Sequence, residues 1–198
     1  MIQRGKKKER ILRVLLNEPE GKLSKYRISK EANCSFPWTH EYLKRLENFG
    51  FINGTKVLNY LELVKTWFNV RKKPLNKEYL IKKPLALLGN INLKYALTTY
   101  QAENLVQNSL FPSRTDVYVK KVDINAWHKL LSENGLTGKG NFRLLIDDEH
   151  VFYGSFKKDN KNLVSIPQLI VDLYLEGGVC VEAAEKLLEK LVNFYVSS

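Results

Sequence analysis

No stretch of this 198-residue sequence holds about 18 consecutive apolar residues, so no membrane-spanning helix is expected. The basic N-terminus, MIQRGKKKER, is not followed by the apolar core of a signal peptide. Ile11 to Leu16 is too short, and Asn17-Glu18-Pro19-Glu20 interrupts it. A cytoplasmic protein with no membrane attachment is therefore expected. Cysteine is scarce. Cys34 and Cys180 sit in different halves, which gives neither a disulfide framework nor a zinc spacing. Cys34 reads as a small core residue.

Signals for catalysis are thin as well. Asp147-Asp148-Glu149-His150 is the only dense acidic and histidine cluster. A metal-dependent nuclease or nucleotidyltransferase needs two or three carboxylates converging on Mg²⁺. Neighbours in one turn point different ways, and Asp116 and Asp172 could join only if the fold brings them close. The bland reading of the cluster is a solvated hairpin tip. Gly135-Leu136-Thr137-Gly138-Lys139-Gly140 lacks the spacing of a phosphate loop and its Ser/Thr after the lysine. No G-x-S-x-G elbow occurs. No catalytic residue, metal ligand or cofactor is assigned. The metal-dependent enzyme stays only as an alternative.

Acidic residues are also few in the first third. Residues 1–73 hold 17 Lys/Arg against 7 Asp/Glu, whereas residues 74–198 hold 15 against 14. Nearly all of the net charge of +11 is therefore at the front. A cationic module beside a near-neutral one suits a polyanionic partner, usually nucleic acid. The basic, proline-broken stretch Arg71-Lys72-Lys73-Pro74 marks the expected boundary between domains 1–73 and 74–198.

The front third reads as three helices and a hairpin. Lys6 to Asn17 carries Ile11, Leu12, Val14, Leu15 and Leu16 on its buried side. Lys6, Lys7, Lys8, Arg10 and Arg13 crowd its start and oppose the helix dipole. A nearby phosphate backbone or a frayed, solvated tail would account for them. Ser24 caps a second helix, Lys25 to Ala32, with Tyr26, Ile28 and Ala32 facing inward. Ser35 is a good N-cap for a third helix, because its hydroxyl can accept a backbone N–H. Pro37 suits the first turn, Leu43, Leu46 and Phe49 make the apolar face, and Gly50 ends the helix. Asn53-Gly54 then predicts a type I′ hairpin turn between Phe51-Ile52 and Val57-Leu58.

Two short helices joined by about three residues match helix-turn-helix geometry, and a following hairpin resembles the wing of a winged helix-turn-helix. That resemblance implies double-stranded DNA as partner, with the third helix entering the major groove N-terminus first. Ser35, Phe36, Trp38, Thr39 and His40 are then candidates for base edges. Trp38 is either a base or sugar contact or a lid over the helix pair, and Thr39 points partly inward. Lys22, Lys25, Arg27, Lys30, Lys44 and Arg45 are placed for phosphates, and Lys56 for a neighbouring groove or backbone. Phosphate contacts position the protein; base contacts choose the sequence. Structured RNA is the other nucleic acid such a module can bind.

Asn59 caps a further helix, with Glu62 completing a pattern like a capping box. Its stripe of Tyr60, Leu61, Val64, Trp67 and Phe68 must cover something: the N-terminal core, the C-terminal domain, or a second chain in a homodimer. Pro84 argues against a central strand over Tyr79–Leu85. Beyond it, strands at Tyr95–Leu97, Asp116–Val119 and Phe142–Ile146 alternate with helices. The first of these helices starts at Thr98 or Thr99, and the others span Ile124–Asn134, Ile166–Leu175 and Val181–Val196. Ser132–Gly140 reads as a loop, and His150–Gly154 as the hairpin partner of Phe142–Ile146. The whole is α+β: an N-terminal winged helix-turn-helix followed by a small mixed α/β domain.

Five segments of the C-terminal half carry a second likeness. They are Tyr95-Ala96-Leu97-Thr98-Thr99-Tyr100-Gln101-Ala102, Asp116-Val117-Tyr118-Val119, Phe142-Arg143-Leu144-Leu145, Val164 to Leu173, and Ala183 to Leu188. In order and spacing they resemble the AbiEi-like proteins, transcriptional regulators and antitoxins of type IV toxin–antitoxin systems. That family pairs such a domain with an N-terminal winged helix, and it often carries Thr-Gly where this chain has Thr98-Thr99. The resemblance implies operator binding with autorepression, and a C-terminal domain that opposes a toxin partner. A protein-interaction antitoxin, with the C-terminal domain as its main functional part, is the alternative to a DNA-binding regulator.

Overall fold

The computed structural model describes residues 3–89 and 91–196. The chain begins with α1 (Arg4–Asn17), α2 (Lys25–Glu31) and α3 (Phe36–Asn48). The hairpin β1 (Ile52–Asn53) and β2 (Lys56–Val57) follows, then α4 (Tyr60–Val70). Ser24 accepts from the Arg27 N–H and Asn59 from the Glu62 N–H, as expected of N-caps. Ser35 occupies its cap position without such a bond; instead its carbonyl accepts from the Thr39 hydroxyl. Gly50 takes φ +71° just past α3, and the Gly50 and Phe51 N–H groups close back on Glu47 and Leu46.

The hairpin turn lies one residue later than its Asn-Gly pair predicts. Ile52 faces Val57 and Asn53 faces Lys56, so the turn residues are Gly54 and Thr55. Only Gly54 has positive φ (+63°), which fits a type II′ turn. The reason is tertiary: the Glu47 carboxylate at the end of α3 accepts the Gly54 N–H at 2.7 Å.

Beyond residue 74 come β3 (Leu75–Ile81), α5 (Pro84–Gly89), β4 (Tyr95–Thr98), α6 (Thr99–Gln107), β5 (Thr115–Val119) and α7 (Ile124–Glu133). The chain continues through β6 (Gly135–Thr137), β7 (Phe142–Ile146), β8 (Phe156–Lys158), β9 (Lys161–Leu163), α8 (Ile166–Glu176) and α9 (Val179–Val196). Among the described residues seven strands form one mixed sheet in the order β6-β3-β7-β5-β4-β9-β8. The protein is thus of mixed α/β class. The β5–β7 and β4–β9 pairs are parallel and the rest antiparallel. Every residue of β4 and β5 is buried, so both faces of the centre are covered. Registered neighbours share a face. Thr98, Asp116 and Arg143 therefore lie on one side with Tyr118, whose hydroxyl meets Asp172 of α8. On the other side Tyr79 and Tyr95 meet His128 and Trp127 of α7.

Several expectations are corrected. β3 is an interior strand, yet it ends before Pro84, which opens α5 where a missing N–H costs nothing. The expected loop at 132–140 contains the edge strand β6, and a Cβ on Gly135 would meet the Leu80 carbonyl oxygen at 2.2 Å. His150–Gly154 is no hairpin partner: Glu149–Phe152 is a 3₁₀ turn, begun by Asp148 accepting the His150 N–H. The hairpin is β8–β9 instead. It turns at Asp159-Asn160, both with positive φ, as a type I′ turn requires.

One continuous hydrophobic core runs through the whole chain. α4 packs on both α1 and α8, so its Tyr60, Leu63, Val64 and Trp67 cover the N-terminal helices and the C-terminal part together. Leu61 and Phe68 of the same stripe stay partly open. With Val64, Tyr174, Leu188 and Val192 they line an apolar groove of about 630 Å³ between α4 and α9.

Candidate nucleic-acid interface

α3 packs its inner side on α2 and β1, with Tyr42, Leu43 and Leu46 buried. Its opposite side is open. Phe36, His40 and Lys44 recur at four-residue steps, which places them in one row along the helix. All three are exposed, as are Ser35, Arg45, Lys22, Arg27, Lys30 and Lys56. Lys25 is half-buried and 3.6 Å from Glu47. The leading edge of α3 and the β1–β2 hairpin are therefore accessible together.

The cations of this surface divide into two groups. Lys22 pairs with Glu20, Arg27 with Glu31 (2.6 Å) and Arg45 with Glu41. Pairs this exposed are worth between zero and about 1 kcal/mol, so a polyanion can displace the carboxylate from each cation. Lys44 and Lys56 have no ion-pair partner among the described residues. Lys30 lies 5.2 Å over the Tyr26 ring.

Two side chains, Thr39 and Tyr26, differ from their expected roles, and Trp38 takes one of its two alternatives. Thr39 is completely buried with its hydroxyl donated to the Ser35 carbonyl, so it faces the core and no base edge. Trp38 stacks on Tyr42 at 5.5 Å under the Lys7 ammonium, which makes it the lid of its two expected alternatives. Tyr26, expected inside, is 57% exposed and its ring centroid is 5.9 Å from that of Phe36. Periodicity could not find Tyr26, because a seven-residue helix gives too few turns to fix a face. Phe49 is likewise outside, beside Phe51, and Cys34 is only half-buried.

The basic start of α1 faces the protein itself. Lys6 binds Asp147, and Arg10 forks onto Asp148 with both contacts at 2.8 Å. Neither a phosphate backbone nor a frayed tail is needed to explain them. Burial works against ionisation of Asp148, but its hydrogen bonds from Arg10 and the His150 N–H hold its pKa below the usual carboxylate range. Arg13 is wholly buried, lies 4.9 Å from the Trp67 ring and donates to Gln168 and to His150 Nδ1. Burial and the nearby Arg71 bring its pKa down to about 10.

Arg71, in the expected linker, is the centre of this buried network. Its guanidinium meets Glu9 (2.7 Å), Asp147 (2.9 Å), the Tyr118 hydroxyl (2.6 Å) and Asp172 (3.2 Å). Asp172 also accepts from Thr98, Tyr118 and Gln168, and burial raises its pKa despite these partners. No sequence signal set Arg71 apart from Lys72 and Lys73. A second network joins Asp116 and Glu176 to Arg114 and Arg143, with the Thr99 hydroxyl on Asp116.

The four aspartates considered for catalysis are thus brought near arginines. Asp147 and Asp172 share Arg71, Asp148 holds Arg10, and Asp116 holds Arg114 and Arg143. No group of three His, Cys, Asp or Glu side chains placed to hold a metal ion occurs among the described residues. Among those residues no helix is long and apolar enough to cross a membrane. Comparison with protein-family models, curated proteins and solved structures finds no match for this chain.

Proposed function

We propose that this chain is a sequence-specific DNA-binding transcriptional regulator, whose first 73 residues act as a winged helix-turn-helix. The observation that carries the reading is the outward row Phe36, His40 and Lys44 on α3, open beside an exposed hairpin bearing Lys56. On this reading α3 enters the major groove, with Ser35, Phe36 and His40 at base edges. Lys44 and Lys56 contact phosphates first. Lys22, Arg27 and Arg45 follow by exchanging a weak carboxylate partner for a phosphate. Control of its own operon is the regulatory outcome the AbiEi resemblance implies.

The test uses the full chain and the DNA upstream of its own gene. Fluorescence anisotropy at several salt concentrations should show affinity falling steeply, by about 0.9 in the log–log slope for each phosphate contact. A protection footprint should cover a discrete site. Affinity that ignores salt, or protection that spreads evenly over the fragment, would refute a sequence-specific reader.

A second reading is a protein-interaction antitoxin, and the apolar groove between α4 and α9 favours it, since large exposed apolar patches commonly mark partner sites. A neighbouring toxin gene, and a complex lost on Phe68→Glu, would support it. A solitary gene with no co-purifying protein would count against it.

A further inference from the structure

Two of the three aromatic rings around the start of α3 are left uncovered by the rest of the chain. Trp38 is spent on Tyr42. Tyr26 and Phe36 instead lie 57% and 42% exposed, and the His40 ring follows 5.8 Å from Phe36. Phe36 occupies the first helical position of α3, and Tyr26 belongs to the helix that α3 packs against. Cations flank the rings: Lys30 over Tyr26, and Lys44 one turn beyond His40. Water contact with such rings is unfavourable, so whatever docks here gains by covering them.

From this we infer that Phe36, supported by Tyr26, is the specificity-determining contact of α3, and that it reads the 5-methyl groups of thymines in the major groove. This rests on the DNA-binding reading above. Bases in an intact duplex are stacked and offer no face to an aromatic ring. Their major-groove edges offer hydrogen-bonding atoms and one apolar feature, the thymine methyl. Phe36 has no hydrogen-bonding group, so the methyl is the one base-edge feature it can recognise. His40 and Lys44, further along the same row, hold the polar contacts that set the register. Covering one methyl is worth about fourfold in affinity.

The experiment selects a binding site for the full chain from a random duplex library. The selected duplex is then made again with deoxyuridine in place of thymidine, one position at a time. Pairing is unchanged and only the methyl is lost. For the wild-type chain one or two positions should weaken about fourfold each, and the others should not respond. Phe36→Ala should bind the thymine and uracil duplexes equally. Tyr26→Ala should reduce the difference, and both variants should stay folded, with a melting temperature only slightly below wild type, because their rings are only partly covered.

A wild-type chain indifferent to every uracil substitution overturns the inference while leaving DNA binding intact. So does a Phe36→Ala variant that keeps the full methyl dependence. Tighter binding to the separated strands than to the duplex overturns it too, because the rings would then be stacking on unpaired bases. Failure to enrich any duplex at all removes the DNA-binding reading itself, and the inference with it.

Discussion

Arg71 Nη1 lies 2.7 Å from Glu9 Oε2, and both side chains are buried where α1, the end of α4 and the C-terminal sheet meet. The same guanidinium holds Asp147 and Asp172, so one positive charge bridges three carboxylates from three segments, two of which also meet Lys6. Removing it leaves Asp172 buried with no cation beside it, and breaking such a buried pair costs about 3–5 kcal/mol. Arg71→Met should therefore lower the urea midpoint sharply with little change in slope, and Arg71→Lys should fall in between because a point charge cannot fork. An Arg71→Met chain within about 1 kcal/mol of wild type would show that the network does not hold the two parts together.

His150 should make the fold sensitive to mild acid. Its Nδ1 faces Arg13, which can only donate, and its Nε2 faces the Glu31 carbonyl, which can only accept. The ring is thus neutral with its proton on Nε2. Burial, then the charge of Arg13, lowers its pKa to about 4. Between pH 6.5 and that value the unfolded chain takes up a proton that the folded chain refuses, so stability falls as pH falls. The loss levels off below about pH 4 at no more than about 3 kcal/mol. Wild type should lose stability relative to His150→Gln as pH falls from 7.5 to 4; a constant difference over that range would refute the assignment.

Thr99 sets a backbone cost against a buried hydrogen bond. Its φ is +49°, a conformation that costs a β-branched residue about 1–2 kcal/mol. Its hydroxyl meets Asp116, which is wholly buried. Thr99→Val keeps the strain and loses the bond, so it should destabilise by about 1–3 kcal/mol. Thr99→Gly loses the bond but relieves the strain, and should be the milder change. Calorimetry that ranks the two in the opposite order would show that the backbone conformation is not strained.

Lys44 and Lys56 offer a clean test of the binding surface, since each is exposed and unpaired among the described residues. Replacing either with alanine should leave thermal stability within about 0.5 kcal/mol of wild type. Each should reduce the salt dependence of duplex binding by about 0.9 in the log–log slope, for all sequences alike. By contrast Lys6→Ala and Arg10→Ala should weaken the fold, because their charges are committed to Asp147 and Asp148. Lys6→Ala or Arg10→Ala lowering duplex affinity with unchanged stability would contradict that division.

Local signals were legible wherever a few neighbouring residues suffice. The caps at Ser24 and Asn59, the stop at Gly50 and the strands at Tyr95, Asp116 and Phe142 depend on short-range sterics and hydrogen bonds. The buried Leu43 and Leu46 of α3 were legible by helical period, whereas Phe49, one residue past the helix, was not. What the sequence could not settle involves side-chain partners outside the element itself, most of them far along the chain. Glu47 moved the hairpin turn by one residue, and pairing with β3 turned an apparent loop into β6. Asp147, Asp148 and Asp172 took up Lys6 and Arg10 of α1 and Arg71 of the apparent linker. A lysine or arginine looks the same in sequence whether it will meet water, a phosphate or a buried aspartate. Only the folded chain, by choosing which carboxylates come within about 3 Å, assigns its charge inward or outward.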